Sequence, residues 1–149
     1  MTQEELNKIL KKHKLWLYSF SFLGKRADLS DANLRNADLR DANLMFANLI
    51  STDLVGARLN NADLRGANLR FADLLGANLE NTGIYFFKGP QNNGIYNSKD
   101  NKLYIGCEIH SLDYWLENYV AIGKKHEYTD EEIETYGQWI KSLKELKNA

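Results

Sequence analysis

The sequence predicts a mainly β protein built around a four-sided coil, with a helix before the coil and a small mixed segment after it. Three observations lead to this fold class. A five-residue motif repeats without interruption through the middle of the chain, and a helical apolar pattern precedes it. After the repeat the period is lost, and turn residues, a strand pattern and two helical patterns follow. We therefore divide the chain into residues 1–26, 27–86 and 87–149.

The N-terminal segment is predicted to form an amphipathic helix. Thr2 and Glu5 have the spacing of a capping box, in which each side chain bonds the other residue's backbone amide. Apolar residues then recur at helical spacing and lysines flank them. We expect this helix to cover the first coil, because a solenoid exposes unpaired backbone at its ends. A basic helix that binds a membrane surface or nucleic acid is the alternative.

Residues 27–86 contain twelve consecutive pentapeptides. The first position is Ala or Thr, the second is Asp or Asn in ten units of twelve, and the third is Leu until Ile84. A period of five fits neither a helix nor a strand. It fits a square coil with one pentapeptide on each side, in which the first and third residues point inward. Twelve units then give about three coils, with a height of about 14 Å at a strand spacing of about 4.8 Å. We expect the Asp and Asn side chains to bond turn backbone.

The motif A-(D/N)-L-x-x resembles the pentapeptide-repeat family, and the resemblance covers residues 27–86 closely. It implies a right-handed quadrilateral β-helix. Two stretches of the C-terminal segment are similar to the tails of pentapeptide-repeat proteins from phages and prophages, namely IGCEIHSLDYWLENY and YTDEEIETYGQWI. That second resemblance implies a phage or bacterial origin and brings no assigned activity.

The C-terminal segment is predicted to be a small α+β appendix. Residues 88–101 hold the only proline and four asparagines, which favours a loop. A short strand is predicted over 102–109. Ser111 is expected to open a helix that stops at Gly123, and a second capping box at Thr129 opens the last helix.

The composition excludes several classes of protein. The chain has 149 residues, of which 44% are hydrophobic and 26% are charged, with a formal charge of −1. This balance argues against a dedicated nucleic-acid binder, which needs clustered Lys and Arg. No apolar run reaches the length of a membrane span, and no signal-peptide pattern is present. Because Cys107 is the only cysteine, no internal disulfide can form, and we expect a cytoplasmic location.

Candidate chemistry is sparse. Cys107 and His110 form a C-x-x-H pair, but a zinc site needs three or four protein ligands, and His13 and His126 lie in separate segments. We therefore predict no metal, no cofactor and no catalytic residue, so that the protein is not an enzyme.

The predicted function is binding. The first hypothesis is a phage or bacterial protein that docks on a host protein, with an inhibitory or counter-defence effect. Outward apolar residues fall on three adjacent walls of the coil, where the tail, a second copy of the chain or a partner would cover them. These predicted interface residues are Met45, Phe46, Ile50, Val55, Phe71 and Leu75.

Two alternatives stay open. In the first, a cleft between the last coil and the tail sequesters a nucleotide-type signal, with aromatic side chains stacked on the base and lysines in contact with the phosphate. The competing interpretation is that these aromatic residues form the core of the tail. The residues of this predicted ligand site are Tyr85, Phe86, Lys88, Tyr96, Lys102, Tyr104 and Trp115. The family resemblance also implies a DNA mimic that blocks a type II topoisomerase. The repeat carries a net charge of only −3, whereas about 14 Å of duplex carries about eight negative charges.

Overall fold

The computed structural model describes residues 1–148. It contains three helices and four strands, which are α1 (Gln3–Tyr18), β1 (Ile84–Phe87), β2 (Gly94–Asn97), β3 (Lys102–Ile105), β4 (Glu108–His110), α2 (Leu112–Lys125) and α3 (Asp130–Asn148). The chain divides into two compact units, Met1–Ile84 and the residues from Tyr85 onward. Within residues 1–148, none of the helices combines the length and the apolar character needed to cross a membrane.

Helix α1 begins with the predicted capping box. The Thr2 hydroxyl accepts a hydrogen bond from the Glu5 amide at 3.2 Å, and the Glu5 carboxylate accepts one from the Thr2 amide at 2.7 Å. Gln3 exchanges two hydrogen bonds, each of 3.0 Å, with the backbone of Asp38 in the repeat. The buried ring of His13 accepts a hydrogen bond from the Ala27 amide at 3.0 Å through Nδ1. Polar contacts therefore attach α1 to the early pentapeptides.

The repeat stacks on itself every twenty residues. Parallel bridges join Asp28 to Asn48 and Asn48 to Asn68, and the same spacing holds for the second positions of the neighbouring pentapeptides. Four pentapeptides therefore separate stacked positions, as expected for a four-sided coil. The third-position leucines from Leu29 to Leu74 expose 2% or less of their surface. Thr52 replaces Ala at a buried first position, and its hydroxyl donates to the Leu29 carbonyl at 2.8 Å.

The second and fifth positions of each pentapeptide form the turns. In all ten units with Asp or Asn at the second position, the side-chain Oδ1 accepts a hydrogen bond of 3.1–3.3 Å from the amide two residues later. This confirms the predicted turn role. Each fifth position from Asp31 to Asn81 has a left-handed backbone, with φ between 54° and 68°.

The second unit is a four-stranded sheet packed with α2 and α3. The strand order is β1-β2-β3-β4; β2 pairs antiparallel with β3, and β3 pairs antiparallel with β4. The indole of Trp115 donates to the Leu103 carbonyl at 2.9 Å. The core of this unit consists of Tyr96, Leu103, Ile105, Leu112, Trp115, Tyr136, Ile140 and Leu143.

Three details of the predicted tail are wrong. Residues 94–97 form β2 inside the predicted loop, and all four are buried. The predicted strand over 102–109 is two strands, because the chain turns at Gly106, where φ is 58°. Helix α2 continues past Gly123 to Lys125. Gly123 allows close packing inside the helix, since a Cβ there would lie 2.5 Å from Cγ1 of Ile133.

Candidate functional site: exposed aromatic residues

The predicted interface residues occupy outward positions of the pentapeptides. Phe46, Phe71 and Leu75 expose 48%, 50% and 48% of their surface. Met45, Ile50 and Val55 are half-buried. Half of the predicted interface set is therefore accessible in the single chain.

Phe46 and Phe71 are unusual in their backbone. Both stand at fifth positions with φ of 61°, where the other nine units from Asp31 to Asn81 have Asp, Asn, Ser or Gly. A left-handed backbone brings Cβ close to the following carbonyl, which costs about 1–2 kcal/mol. The Phe46 ring lies over Gly66, where an added Cβ would be 2.4 Å from its Cδ1 atom. Aromatic residues therefore occupy two turns whose geometry favours small polar residues.

The loop between α1 and the repeat presents further aromatic side chains. Phe20 and Phe22 expose 90% and 88% of their surface, and Phe20 has a left-handed backbone with φ of 51°. The Ser19 hydroxyl accepts from the Leu23 amide at 2.8 Å and donates to the Leu23 carbonyl at 3.1 Å, which closes the loop. Gly24 packs against α1, since a Cβ there would lie 2.2 Å from the Lys12 carbonyl oxygen. The loop is held by its own hydrogen bonds while its rings face solvent.

The sequence patterns did not identify this loop. Residues 18–26 lie between the helical pattern and the first pentapeptide, so neither period covers them. The available signal was an aromatic cluster, YSFSFL, outside every predicted core.

The predicted ligand residues are divided between interior and surface. Tyr96, Tyr104 and Trp115 expose 4% or less of their surface, and burial raises the pKa of Tyr96. Buried rings are not available to stack on a ligand. Lys88 and Lys102 are exposed.

The remaining predicted ligand residues lie on β1. Tyr85 is 38% exposed and its ring stacks on Tyr96 with centroids 6.2 Å apart, and Phe86 is half-buried. A ligand-binding role for the residues that keep exposed surface stays a prediction. The cavity bounded by Trp115, Tyr119 and Tyr136 measures about 10 Å³, which is room for one water at most.

A polar cluster surrounds Glu108 at the start of β4. Oε1 of Glu108 accepts a hydrogen bond of 2.8 Å from Nζ of Lys125 and lies 2.8 Å from Nε2 of His126. Oε2 of Glu108 lies 3.0 Å from Nε2 of His110. Lys125, then His126 and His110, hold the pKa of the Glu108 carboxyl at about 2. Cys107 is exposed beside them. The C-x-x-H motif identified Cys107 and His110, whereas only the fold brings His126 to the same place.

A sequence profile of pentapeptide repeats matches the chain in eight copies, over residues 25–61 and 47–82. Residues 25–82 therefore consist of repeats of the pentapeptide-repeat family. This confirms the family indicated by the A-(D/N)-L-x-x motif. The tail lies outside the matched residues.

Solved pentapeptide-repeat proteins are similar to this one over 38% of its chain. One from the cyanobacterium Cyanothece is 44% identical over 39% of its own length, with a TM-score of 0.38. HetL, involved in heterocyst differentiation regulation in the cyanobacterium Nostoc, is 38% identical over 27% of its length, with a TM-score of 0.38. A protein from the Arabidopsis thaliana thylakoid lumen is 35% identical over 46% of its length, with a TM-score of 0.32. The chain thus spans less than half of each. No curated protein matches it.

Proposed function

We propose that this pentapeptide-repeat protein is a non-catalytic binding protein that docks on a bacterial host protein through exposed aromatic residues of Met1–Ile84. One observation carries the proposal. Phe20, Phe46 and Phe71 all have a left-handed backbone, with φ of 51°, 61° and 61°. All three are also exposed, by 90%, 48% and 50%.

In the isolated chain these three aromatic residues carry a conformational cost. An aromatic residue with positive φ is a conformational outlier, and such outliers cluster at functional sites. Burial of the ring in the core would offset the cost, but most of the Phe20 surface and about half of the Phe46 and Phe71 surface face solvent. Binding to a partner would offset this conformational cost instead, because an aromatic anchor that fills a partner's pocket is the usual centre of an interface.

The charge of the surrounding chain indicates the chemistry of the partner. Residues 1–26 carry six basic and two acidic side chains, and Lys25 and Arg26 directly follow the aromatic loop. Opposite charge speeds encounter and fixes orientation. We therefore expect the partner to have apolar pockets, with acidic residues around the pocket that takes Phe20. With a phage or prophage origin, such docking would inhibit a host protein or counter a defence protein in the cytoplasm.

The same proposal includes the finer architecture of the repeat. We infer three right-handed coils, with α1 covering the first. Bridges at intervals of twenty residues and the paired hydrogen bonds between Gln3 and Asp38 support this arrangement.

The test uses a photo-reactive amino acid at position 71 of the full chain, mixed with bacterial lysate, followed by mass spectrometry of the adducts. The matched control carries the same probe at position 61, where Asn61 has a left-handed backbone with φ of 62°. We expect one host protein at position 71 and not at position 61. Adducts that do not differ between the two positions would contradict the proposal.

Substitution of the anchors completes the test. Phe20→Asn, in the chain that carries the probe at position 71, should abolish capture and should leave stability unchanged or raised by up to about 1–2 kcal/mol, because Asn tolerates the left-handed backbone. Sedimentation with anionic vesicles separates a lipid surface from a protein partner. If the parent chain sediments with vesicles and Phe20→Asn does not, the partner is a membrane and the proposal is wrong.

A further inference from the structure

The polar cluster around Glu108 has a composition that protein docking does not explain. We propose that Cys107, Glu108 and His126 bind a zinc ion, with a water as the fourth ligand and with His110 as a positioning residue for Glu108. One ligand atom from each of the three residues lies within 4.8 Å of the other two.

The three donors come from backbone that the fold fixes. Cys107 follows the left-handed Gly106 in the turn between β3 and β4, and Glu108 pairs with Ile105 across that turn. His126 is the C-cap of α2, and its amide donates to the carbonyls of Ile122 and Gly123. The sheet and a helix end therefore bring the donors together, and the site does not depend on a loose loop.

The spacing suits a tetrahedral ion after a small adjustment. Zinc bonds of about 2.0–2.3 Å place donor atoms about 3.3–3.8 Å apart. His126 Nε2 already lies 2.8 Å from Glu108 Oε1. The atom that has to move closer to the other two is therefore the sulfur of Cys107. Cys107 is exposed, so a rotation of its side chain supplies the adjustment.

The charge of the cluster also suits a cation. Glu108 already binds the ammonium group of Lys125, whose side chain is 69% exposed and is able to rotate into solvent. A zinc ion would take the place of this ammonium group. Thiolate sulfur, imidazole nitrogen and carboxylate oxygen are all ligand types that zinc uses, and a site with three protein ligands keeps an open position.

His110 acts on the carboxylate and not on the ion. Its Nε2 atom lies 3.0 Å from Oε2 of Glu108, the oxygen that is not shared with His126. Outer partners of this kind orient a ligand, and their loss costs about 10–100-fold in metal affinity. The sequence-based expectation of no metal set His126 aside because it lies in a separate segment from Cys107 and His110, whereas α2 places it beside them.

The experiment titrates the full chain with Co²⁺ and then displaces it with Zn²⁺. We expect one equivalent of Co²⁺ with a thiolate-to-cobalt charge-transfer band and the intense visible bands of a four-coordinate ion. His126→Gln and Glu108→Gln, which keep the thiol, should weaken zinc binding about 100-fold or more, beyond the loss seen for outer partners. His110→Gln should weaken it about 10–100-fold.

Lys125→Gln should change the zinc affinity in the opposite direction. Removal of the competing ammonium group should tighten zinc binding, while the matched variant Lys124→Gln should leave it unchanged. Near-ultraviolet circular dichroism confirms that each variant stays folded. The proposal fails if the parent chain takes up no stoichiometric Co²⁺, or if Glu108→Gln and His126→Gln bind zinc as tightly as the parent. This outcome is independent of the aromatic docking surface, which uses other residues.

Discussion

Leu59 and Asn61 show how closely neighbouring residues of the repeat differ in their roles. Leu59 has no exposed surface, whereas Asn61 lies outside with a left-handed backbone. The side-chain Nδ2 of Asn61 donates to the Asp41 carboxylate at 3.0 Å, and the side-chain Nδ2 of Asn81 donates to Oδ1 of Asn61 at 2.8 Å. A polar ladder therefore follows one corner of the coil. Asn at these positions both tolerates the backbone and supplies the bonds between stacked turns.

Leu59→Asp should unfold the repeat. The new carboxylate would be buried among leucines without a partner, which costs several kcal/mol. Thermal melting followed by circular dichroism measures the effect. The control, Asn60→Asp, changes the adjacent outward residue and should melt like the parent chain. A native-like melt for Leu59→Asp would reject the inward position of Leu59.

His13 should make the stability of the first unit depend on pH. Burial lowers its pKa below 6.5, Arg26 lowers it further, and the Met45 carbonyl opposes them. Between the lowered pKa and 6.5 the unfolded chain binds a proton that the folded chain does not, so stability falls as the pH drops through this window.

Urea unfolding at about pH 7.5 and about pH 5.5, on either side of the ordinary histidine pKa of about 6.5, measures this dependence. His13→Gln keeps an acceptor for the Ala27 amide without a titrating ring. We expect the loss of stability at the lower pH to shrink in this variant, and an equal loss in both chains would exclude His13 as the cause.

Helices α2 and α3 approach each other closely at two glycines. A Cβ at Gly123 would lie 2.5 Å from Ile133, and one at Gly137 would lie 2.4 Å from the ring of Tyr119. Glycine inside a helix costs about 0.5–1 kcal/mol relative to alanine. Since both glycines stand in helices, the close packing of the pair offsets that cost.

Gly123→Ala should therefore destabilise the second unit by about 1–3 kcal/mol, although alanine is the better helix former. The added methyl group would displace the buried side chain of Ile133. Urea unfolding followed by tryptophan fluorescence, in a background with Trp16→Phe so that only the second unit reports, measures the change. Val120→Ala, at an exposed position of α2, is the control and should stay within about 0.5 kcal/mol of the parent chain. A stabilised Gly123→Ala chain would contradict the packing.

The elements that could be predicted from sequence are those with a local period or a local cap. The spacing of Leu29 to Leu74 determined the inward side of the repeat, and the capping boxes at Thr2 and Thr129 located two helix starts. Strand β2 could not be predicted from its composition, because it is stabilised by its pairing with β3. The convergence of Glu108 and His126 depends on the path of α2, which no local pattern encodes.

The electrostatics of the whole chain argue against imitation of DNA. Asp38 accepts hydrogen bonds from Arg40 at 2.7 Å and from Arg58 at 3.0 Å, and Arg40 above all holds the pKa of Asp38 at about 2. Arg35 binds Asp53 at 2.7 Å. Arginines of the repeat therefore neutralise Asp38 and Asp53 locally, which makes the repeat less like a row of phosphates.

We expect no inhibition of a bacterial type II topoisomerase by the purified chain. A supercoiling assay at low salt, where electrostatic binding is strongest, measures this directly. A variant with Arg35→Gln, Arg40→Gln and Arg58→Gln exposes more acidic charge and serves as the comparison. Inhibition by the parent chain that disappears in this more acidic variant would show that the arginines contact the enzyme, and inhibition by both would support DNA imitation.

The stacking interval of twenty residues has a consequence for how such a chain changes its length. Removal of a single residue would turn the leucines that follow outward, whereas removal of one pentapeptide keeps every leucine inward. Removal of one pentapeptide also rotates each later pentapeptide by a quarter turn about the axis of the coil. Excision of residues 62–66 would thus carry Phe71 to the preceding side while Phe46 stays in place. A gene that gains or loses fifteen nucleotides can therefore redirect its surface side chains in steps of a right angle without redesigning its interior.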